Sequence, residues 1–345
     1  MPEIPTNHPQ TPREARELVE ERRQTLLEGY ESDNEVIQDL FHNYDRDVKR
    51  DLDTPAQVIP ELLQNADDVK ECETVEILIS EDELVIRNDG RPLLEDEFEA
   101  ICHIGQSTKQ EPGYIGHFGR GFKSVFSVSD HPKIRSGFLR FGFKRDRCVL
   151  PLHLVDETAV DEIKYPPATE VRLPFTDISE YDRSQLIGQI ESLPRLMPYL
   201  RNVSKISVVN HGQRTTYRRE ETVRGALTEV KIYKNETLHE RRHLFGIEEL
   251  PPDAEFSELV KHRALENEED FRDEPVPIKI SFPVDEGGNP ISGDEPSRLF
   301  NFFPTETELD IPFDIQADFL LDSDRSSLHN IKSPYNQWIF GLVSA

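Results

Sequence analysis

Three side chains able to serve a cation and a phosphate recur one helical turn apart in the segment Glu61-Leu-Leu-Gln-Asn65-Ala-Asp-Asp68. At roughly 100° per residue, Glu61, Asn65 and Asp68 fall within about 60° of one another on a helix. Val58, Ile59, Leu62, Leu63, Ala66 and Val69 gather on another arc. The spacing therefore predicts an amphipathic helix whose polar face carries ligand-type groups rather than Lys and Glu pairs. An amide oxygen such as that of Asn65 suits Mg²⁺, which takes hard oxygen ligands and keeps water and phosphate in its other positions. A carboxylate one turn earlier, Glu61, suits a group that orients or deprotonates water for attack on a phosphoryl group.

A second constellation is Gly116-His-Phe-Gly119-Arg-Gly121-Phe122-Lys-Ser124. Its glycines let successive backbone N–H groups converge on an anion at the start of the helix that follows. It is not a Walker A loop, because Gly121 is followed by Phe122, and it lacks the third glycine of a dinucleotide fingerprint. A third candidate, Asp89, stands at a strand end and is followed at once by Gly90, where the backbone turns freely.

Certain elements must position these groups. Residues 13–27 read as a helix ended by Gly29, and Ser32 with Glu35 reads as a capping box opening a second helix. Val36, Ile37, Leu40, Phe41 and Tyr44 share one face of that second helix. Thr54 and Pro55 predict the start of the acidic helix, and Pro60 predicts a bend or restart within it. Strands are expected at 74–79 and 84–87, a helix at 95–104, and a mobile glycine-rich segment at 105–121. An apolar helix at 122–128 precedes strands at 138–143, 148–154 and 169–175, a helix at 184–193 and a strand at 206–209. Beyond residue 211, charged linkers at 266–273 and 285–296 separate candidate strands at 277–284 and 311–319.

Composition bounds the function. The 345 residues favour two domains, and no apolar run approaches the roughly 20 residues of a membrane span. Three scattered cysteines, Cys72, Cys102 and Cys148, form neither a disulfide framework nor a zinc pattern, and the first residues lack the pattern of a signal peptide, which points to the cytoplasm. With 67 acidic against 40 basic residues the net charge is −27. Such self-repulsion is screened at high salt, so a halophile's cytosol is the expected setting, and a grip on nucleic acid through overall charge is disfavoured. Melting in molar KCl against dilute buffer tests this: lower stability in salt ends the halophile reading.

In order and spacing the three elements resemble the nucleotide-binding domain shared by Hsp90, DNA gyrase B, MutL and histidine kinases, the GHKL superfamily. The Glu-x-x-x-Asn-x-x-Asp motif matches at Glu61, Asn65 and Asp68; Asp-x-Gly-x-Gly matches only partly, at Asp89; Gly-x-x-Gly-x-Gly-x-x-Ser matches from Gly116 to Ser124. The wording Glu-Leu-Leu-Gln-Asn-Ala-Asp-Asp, Asn-Asp-Gly-Arg-Pro-Leu and Ile-Gly-His-Phe-Gly-Arg-Gly-Phe-Lys-Ser is most similar to the sacsin-type branch, over about residues 50–180, with a weaker echo at 299–328.

That resemblance implies an α+β fold: a Bergerat-type α/β sandwich, its mixed, mostly antiparallel sheet carrying helices on one face, followed by a smaller α+β region. It implies a tail and helix at 1–30, the ATP-binding domain at 31–210 and a second region at 211–345, which the apolar chain end marks as truncated or as a partner surface. ATP and Mg²⁺ are the implied cofactors, with Asn65 on the metal, Glu61 on the water, Asp68 beside the nucleotide, and Asp89 and Thr169 on the adenine amine. Gly116, Gly119, Gly121, Phe122 and Ser124 would line the phosphates, Ser107 and Lys109 would reach them from a lid, and Arg325 would approach from the following region. Slow hydrolysis would drive lid closure in chaperone-like or defence-related work, with protein clients or a second copy as partners. The alternatives are a non-hydrolysing nucleotide sensor, against which Glu61 speaks, and a DNA-linked ATPase of the MutL or topoisomerase kind, against which the acidity speaks. A histidine kinase would need a phosphoacceptor context that His42 lacks.

Overall fold

The computed structural model describes residues 5–51, 57–103, 121–154, 169–263, 275–293, 296–321, 327–330 and 332–344. The chain forms two compact units, one from Met1–Lys109, Gly116–Ser192 and Arg201–Thr215, the other from Gln110–Ile115, Leu193–Leu200 and Thr216–Ala345.

In the first unit, helix α1 (Pro12–Tyr30) starts where Thr11 Oγ1 accepts the Glu14 N–H at 3.2 Å, with Pro12 in the first turn. It runs one residue past Gly29. Helix α2 (Glu35–Asp51) is capped by Asn34, whose Oδ1 accepts the Val36 N–H at 3.0 Å, and not by the expected Ser32. The apolar face expected on α2 divides: Phe41 packs on Tyr30, whereas Val36, Ile37 and Leu40 are exposed.

Helix α3 (Val58–Asp67) departs from expectation twice. Pro60 lies in the first turn, where a missing N–H costs no intrahelical bond, so the helix runs through it unbroken. The helix is also buried almost all round rather than half-solvated: Glu61, Gln64 and Asp67 are buried along with Ile59 and Leu63, and Asn65 is half-buried. The first-turn N–H of Ile59 donates to the buried Gln189 Oε1 at 3.0 Å. The observed N-cap is Gln57; the expected cap at Thr54 lies outside the described residues.

The remaining elements are β1 (Thr74–Ile79), β2 (Glu83–Asn88), α4 (Glu95–Ile101), a 3-10 helix (Gly121–Ser127), β3 (Lys133–Ser136), β4 (Leu139–Lys144), β5 (Arg147–His153), β6 (Thr169–Pro174), α5 (Glu180–Glu191) and β7 (Lys205–Asn210). The strand order is β7-β1-β2-β6-β3-β4-β5. The β1–β7 pair is parallel, while β1–β2, β2–β6, β3–β6, β3–β4 and β4–β5 are antiparallel. Strand alternation gives this sheet two chemically distinct faces. On one, Arg87 bonds Glu170 at 2.7 Å and Glu76 at 3.2 Å, and Arg172 bonds Glu83 at 2.8 Å. On the other, Ile77, Ile86, Val171 and Ile134 lie in register across four strands.

The second unit contains α6 (Leu193–Leu196), most of β8 (Gln213–Arg224), β9 (Leu227–Lys234), β10 (Thr237–Glu249), α7 (Asp253–Arg263), β11 (Val276–Pro283), β12 (Ser297–Asn301), β13 (Phe303–Leu309), β14 (Asp314–Gln316) and α8 (Pro334–Ser344). Its strands follow the order β13-β12-β14-β11-β10-β9-β8. Its core gathers Phe256, Ile278, Leu299, Ile315, Phe319 and Tyr335. The α+β class and the mixed, mostly antiparallel sheet match the expectation. The expected strand 311–319 shortens to β14, and the long strands β8 to β10 were not foreseen. Among the described residues no helix is long and apolar enough to cross a membrane.

Candidate functional site

A cavity in the first unit is bounded by α3 and α4 on one side and by the inner faces of β2, β3 and β6 on the other. Asn65 and Ala66 of α3 line it, as do Ile101 of α4 and Phe122 of the 3-10 helix. Its floor is built in two rows by strand register. Ile86, Val171 and Ile134 sit opposite one another and supply an apolar surface. One pleat further on, Asn88, Thr169 and Ser136 sit opposite one another, and Asn88 and Thr169 supply a polar edge to the cavity.

That polar edge is wired to the chain around it. Ser136 Oγ accepts the Leu93 N–H at 2.7 Å and shares a hydrogen bond with Thr169 Oγ1, also 2.7 Å long. Leu93 in turn accepts a bond from His8 Nδ1 at 2.6 Å, while His8 Nε2 accepts the Phe138 N–H at 3.1 Å. These two bonds fix the neutral imidazole with its proton on Nδ1, and burial lowers the pKa of His8. Gly137, at φ +53°, packs against this ring, where a Cβ would lie 2.5 Å from Nε2. At the rim Arg91 clasps Glu97 through two 2.8 Å bonds, and the Leu94 N–H adds a third at 2.9 Å.

Helix α3 is held in place from its C-terminal end by Asp67. One carboxylate oxygen accepts the Asn202 and Val203 N–H groups at 2.9 and 2.8 Å, and the other accepts the Arg201 N–H at 2.8 Å. The 3-10 helix is held by Lys123, whose ammonium donates to the carbonyls of Ile101 at 2.7 Å and Cys148 at 2.8 Å. Burial lowers the pKa of Lys123 and pushes the Cys148 thiol up to about 12. Lys123 therefore points into the core as a joint between elements.

The residues singled out from sequence are distributed unevenly over this frame. Asn65, Phe122 and Thr169 line the cavity. Glu61 lies one turn before Asn65 on the same helix and is only 6% exposed, outside the lining. Asp68 is the half-buried C-cap residue of α3. Ser124 is buried, and among the described residues its Oγ has no hydrogen-bond partner. Gly121 opens the 3-10 helix. Asp89 is exposed, and its Oδ1 accepts the N–H groups of Glu73 at 2.9 Å and Thr74 at 2.8 Å, which leaves it outside the lining. Ser107, Lys109, Gly116, Gly119 and Arg325 lie outside the described residues.

Asn88, Ser136, Arg91 with Glu97, and Asp67 were not singled out. Period-two alternation could have found the first: Leu84 and Ile86 are buried on one face of β2, and Asn88, not Asp89, continues it.

No family model matches the chain. In sequence it is 28% identical to Protein NO VEIN of Arabidopsis thaliana over 307 residues, 81% of this chain and 10% of that protein. It is 31% identical to human Sacsin over 98 residues, 24% of this chain and 2% of Sacsin. The chain is a distant relative of both. The resemblance to the sacsin-type branch thus holds at the level of sequence, and the chain spans a small part of either relative's length. Solved structures that align include the B subunit of DNA gyrase from Myxococcus xanthus, at 15% identity and TM-score 0.34 over 57% of this chain and 63% of that one. The ATPase domain of the mismatch repair endonuclease MutL from Aquifex aeolicus aligns at 14% identity and TM-score 0.32 over 53% of this chain and 73% of that one. Both likenesses are loose and assign nothing by themselves.

Proposed function

We propose that the first unit binds Mg²⁺-ATP in this cavity and hydrolyses it slowly, as a GHKL-type module. The observation that carries the reading is convergence: Asn65 from the first motif, Phe122 from the glycine motif and Thr169 from the late strand line one cavity although they are far apart in the chain. The base would lie against Ile86, Val171 and Ile134, with the polar edge of Asn88 and Thr169 at its rim. Among the described residues no three His, Cys, Asp or Glu side chains form a cluster able to hold a metal. Asn65 would offer Mg²⁺, which takes hard oxygen ligands, one amide oxygen, with water and phosphate in its other positions. When bound, that ion would neutralise charge on the phosphates. Ser124 Oγ, buried and without a hydrogen-bond partner among the described residues, would donate to a phosphate oxygen, and Glu61 would take the proton of the attacking water.

The remaining assignments follow from the reading. Gly116, Gly119 and Gly121 would present backbone N–H groups to the phosphates, Ser107 and Lys109 would close over them, and Arg325 would meet the γ-phosphate. Nucleotide-driven closure would serve chaperone-like or defence-related work in a salt-rich cytoplasm, a setting supported by the net charge of −27. The test is turnover and affinity in the full chain. Glu61→Ala is expected to keep ATP affinity within about threefold and to lose at least about 100-fold in turnover, the scale of general-base catalysis. Asn65→Ala is expected to abolish the Mg²⁺ dependence of binding. Wild-type turnover in Glu61→Ala would remove the base assignment and leave a nucleotide sensor.

A further inference from the structure

We propose that the base end of this cavity does not discriminate 6-amino from 6-oxo purines, because among the described residues it is read by an amide and a reversible hydroxyl pair, while the carboxylate in the lining, Glu97, is bonded to Arg91. The inference rests on the nucleotide reading above and concerns which bases the site takes.

A carboxylate can only accept, so a carboxylate at the purine 6-position selects an exocyclic amine and repels a carbonyl. Of the carboxylates near Asn88 in the chain, Glu97 alone lines the cavity among the described residues, and Asp89 lies outside the lining. Asp89 is exposed, and its Oδ1 is bonded to the N–H groups of Glu73 and Thr74. Glu97 does line the cavity, but both of its oxygens are taken by Arg91 and one also by the Leu94 N–H.

What faces the ligand is Asn88. Its Oδ1 accepts the Gly90 N–H at 3.2 Å, which fixes which end of the amide is oxygen. The Nδ2 end is then the donor available to a ligand, and it suits a 6-carbonyl; the second lone pair of Oδ1 still suits an amine. Thr169, directly opposite Asn88 in the β2–β6 register, shares its hydrogen bond with Ser136, and either hydroxyl can be the donor. Thr169 can thus offer the cavity a proton or a lone pair as the base demands. Adenine and hypoxanthine differ in this pattern and in the proton on N1, so an edge that can reverse accommodates both at the 6-position.

The test is equilibrium binding of ATP and of ITP, which differ only at the 6-position and the N1 proton, to the full chain with Mg²⁺. The wild type is expected to bind the two within about threefold. Asn88→Asp is expected to shift the ratio toward ATP by about tenfold or more, since a fixed acceptor penalises the carbonyl. Asp89→Asn is expected to leave the ratio as it is. A wild-type preference for ATP of more than about 30-fold overturns the inference and leaves the nucleotide reading intact, and this outcome needs no variant to fold. Failure of both nucleotides to bind overturns the two together.

Discussion

Asp67 and Asp314 are buried alike, at 0% and 2% exposure, yet each is stabilised differently. Asp67, in the first unit, is ringed by the backbone N–H groups of Arg201, Asn202 and Val203. Asp314, in the second, accepts from Arg242 at 2.6 Å, Arg195 at 2.8 Å and the Arg298 N–H at 2.9 Å. Backbone donors cannot leave, so the first arrangement fixes a path of the chain. Guanidinium groups are themselves charged, so the second makes three side chains depend on one another. The unit that carries the cavity uses the rigid solution next to its key helix.

The comparison breaks most readily at Asp314. Asp314→Ala removes the shared counter-charge of two arginines whose side chains are 14% and 7% exposed. The expected loss is about 3 kcal/mol in urea or thermal unfolding, at the low end for a broken buried pair because Glu240 remains on Arg242. A loss below about 1 kcal/mol would mean the arginines are already satisfied elsewhere, and the contrast would lose its meaning. Asp67→Asn is gentler, since one oxygen remains while an NH₂ group is turned against N–H donors; about 2 kcal/mol is expected. Molar salt is expected to change neither difference much, because buried pairs are weakly screened.

The smallest effect is expected from pH at His8. Burial lowers its pKa in the folded chain, so the stability it contributes is complete above the unfolded value near 6.5. That stability declines as pH falls below 6.5 through the folded value, where protonation removes the Nε2 acceptor from Phe138. Melting curves from pH 7.5 to pH 5 should show a shallower decline in His8→Phe than in the wild type. Equal slopes would assign the titration to His103 or His153, which burial shifts in the same direction.

Legibility in the sequence followed periodicity. β1, β2 and β6 were readable because apolar residues alternate through them, and α3 because its motif has helical spacing. β8 to β10 were not, since runs such as Arg218-Arg-Glu-Glu-Thr222 bury few residues and show little alternation. Of the cavity lining, Asn65 and Phe122 were singled out through motif spacing and Thr169 through the family resemblance. Asp67 was passed over for Asp68 because it lies off the Glu61–Asn65 stripe, and its partners stand more than 130 residues away, where no local pattern reaches. Asn88 was passed over for its neighbour because a carboxylate looks more like chemistry than an amide does. Burial of Glu61, Gln64 and Asp67 on α3 was likewise invisible, since enclosure depends on what packs against a helix.

The Asp67 clamp also has a meaning for the order in which the molecule is made. A ribosome delivers residues 58–67 long before residues 201–203, so the helix bearing Glu61 and Asn65 must wait without this clamp for most of the unit's synthesis. The parallel β1–β7 pairing closes over the same interval, so both contacts carry the loop-closure penalty of a distant pairing. The cavity should therefore be completed abruptly during translation, when the chain has emerged past Val203, and a nascent chain halted before that point would carry all the motifs without the cavity.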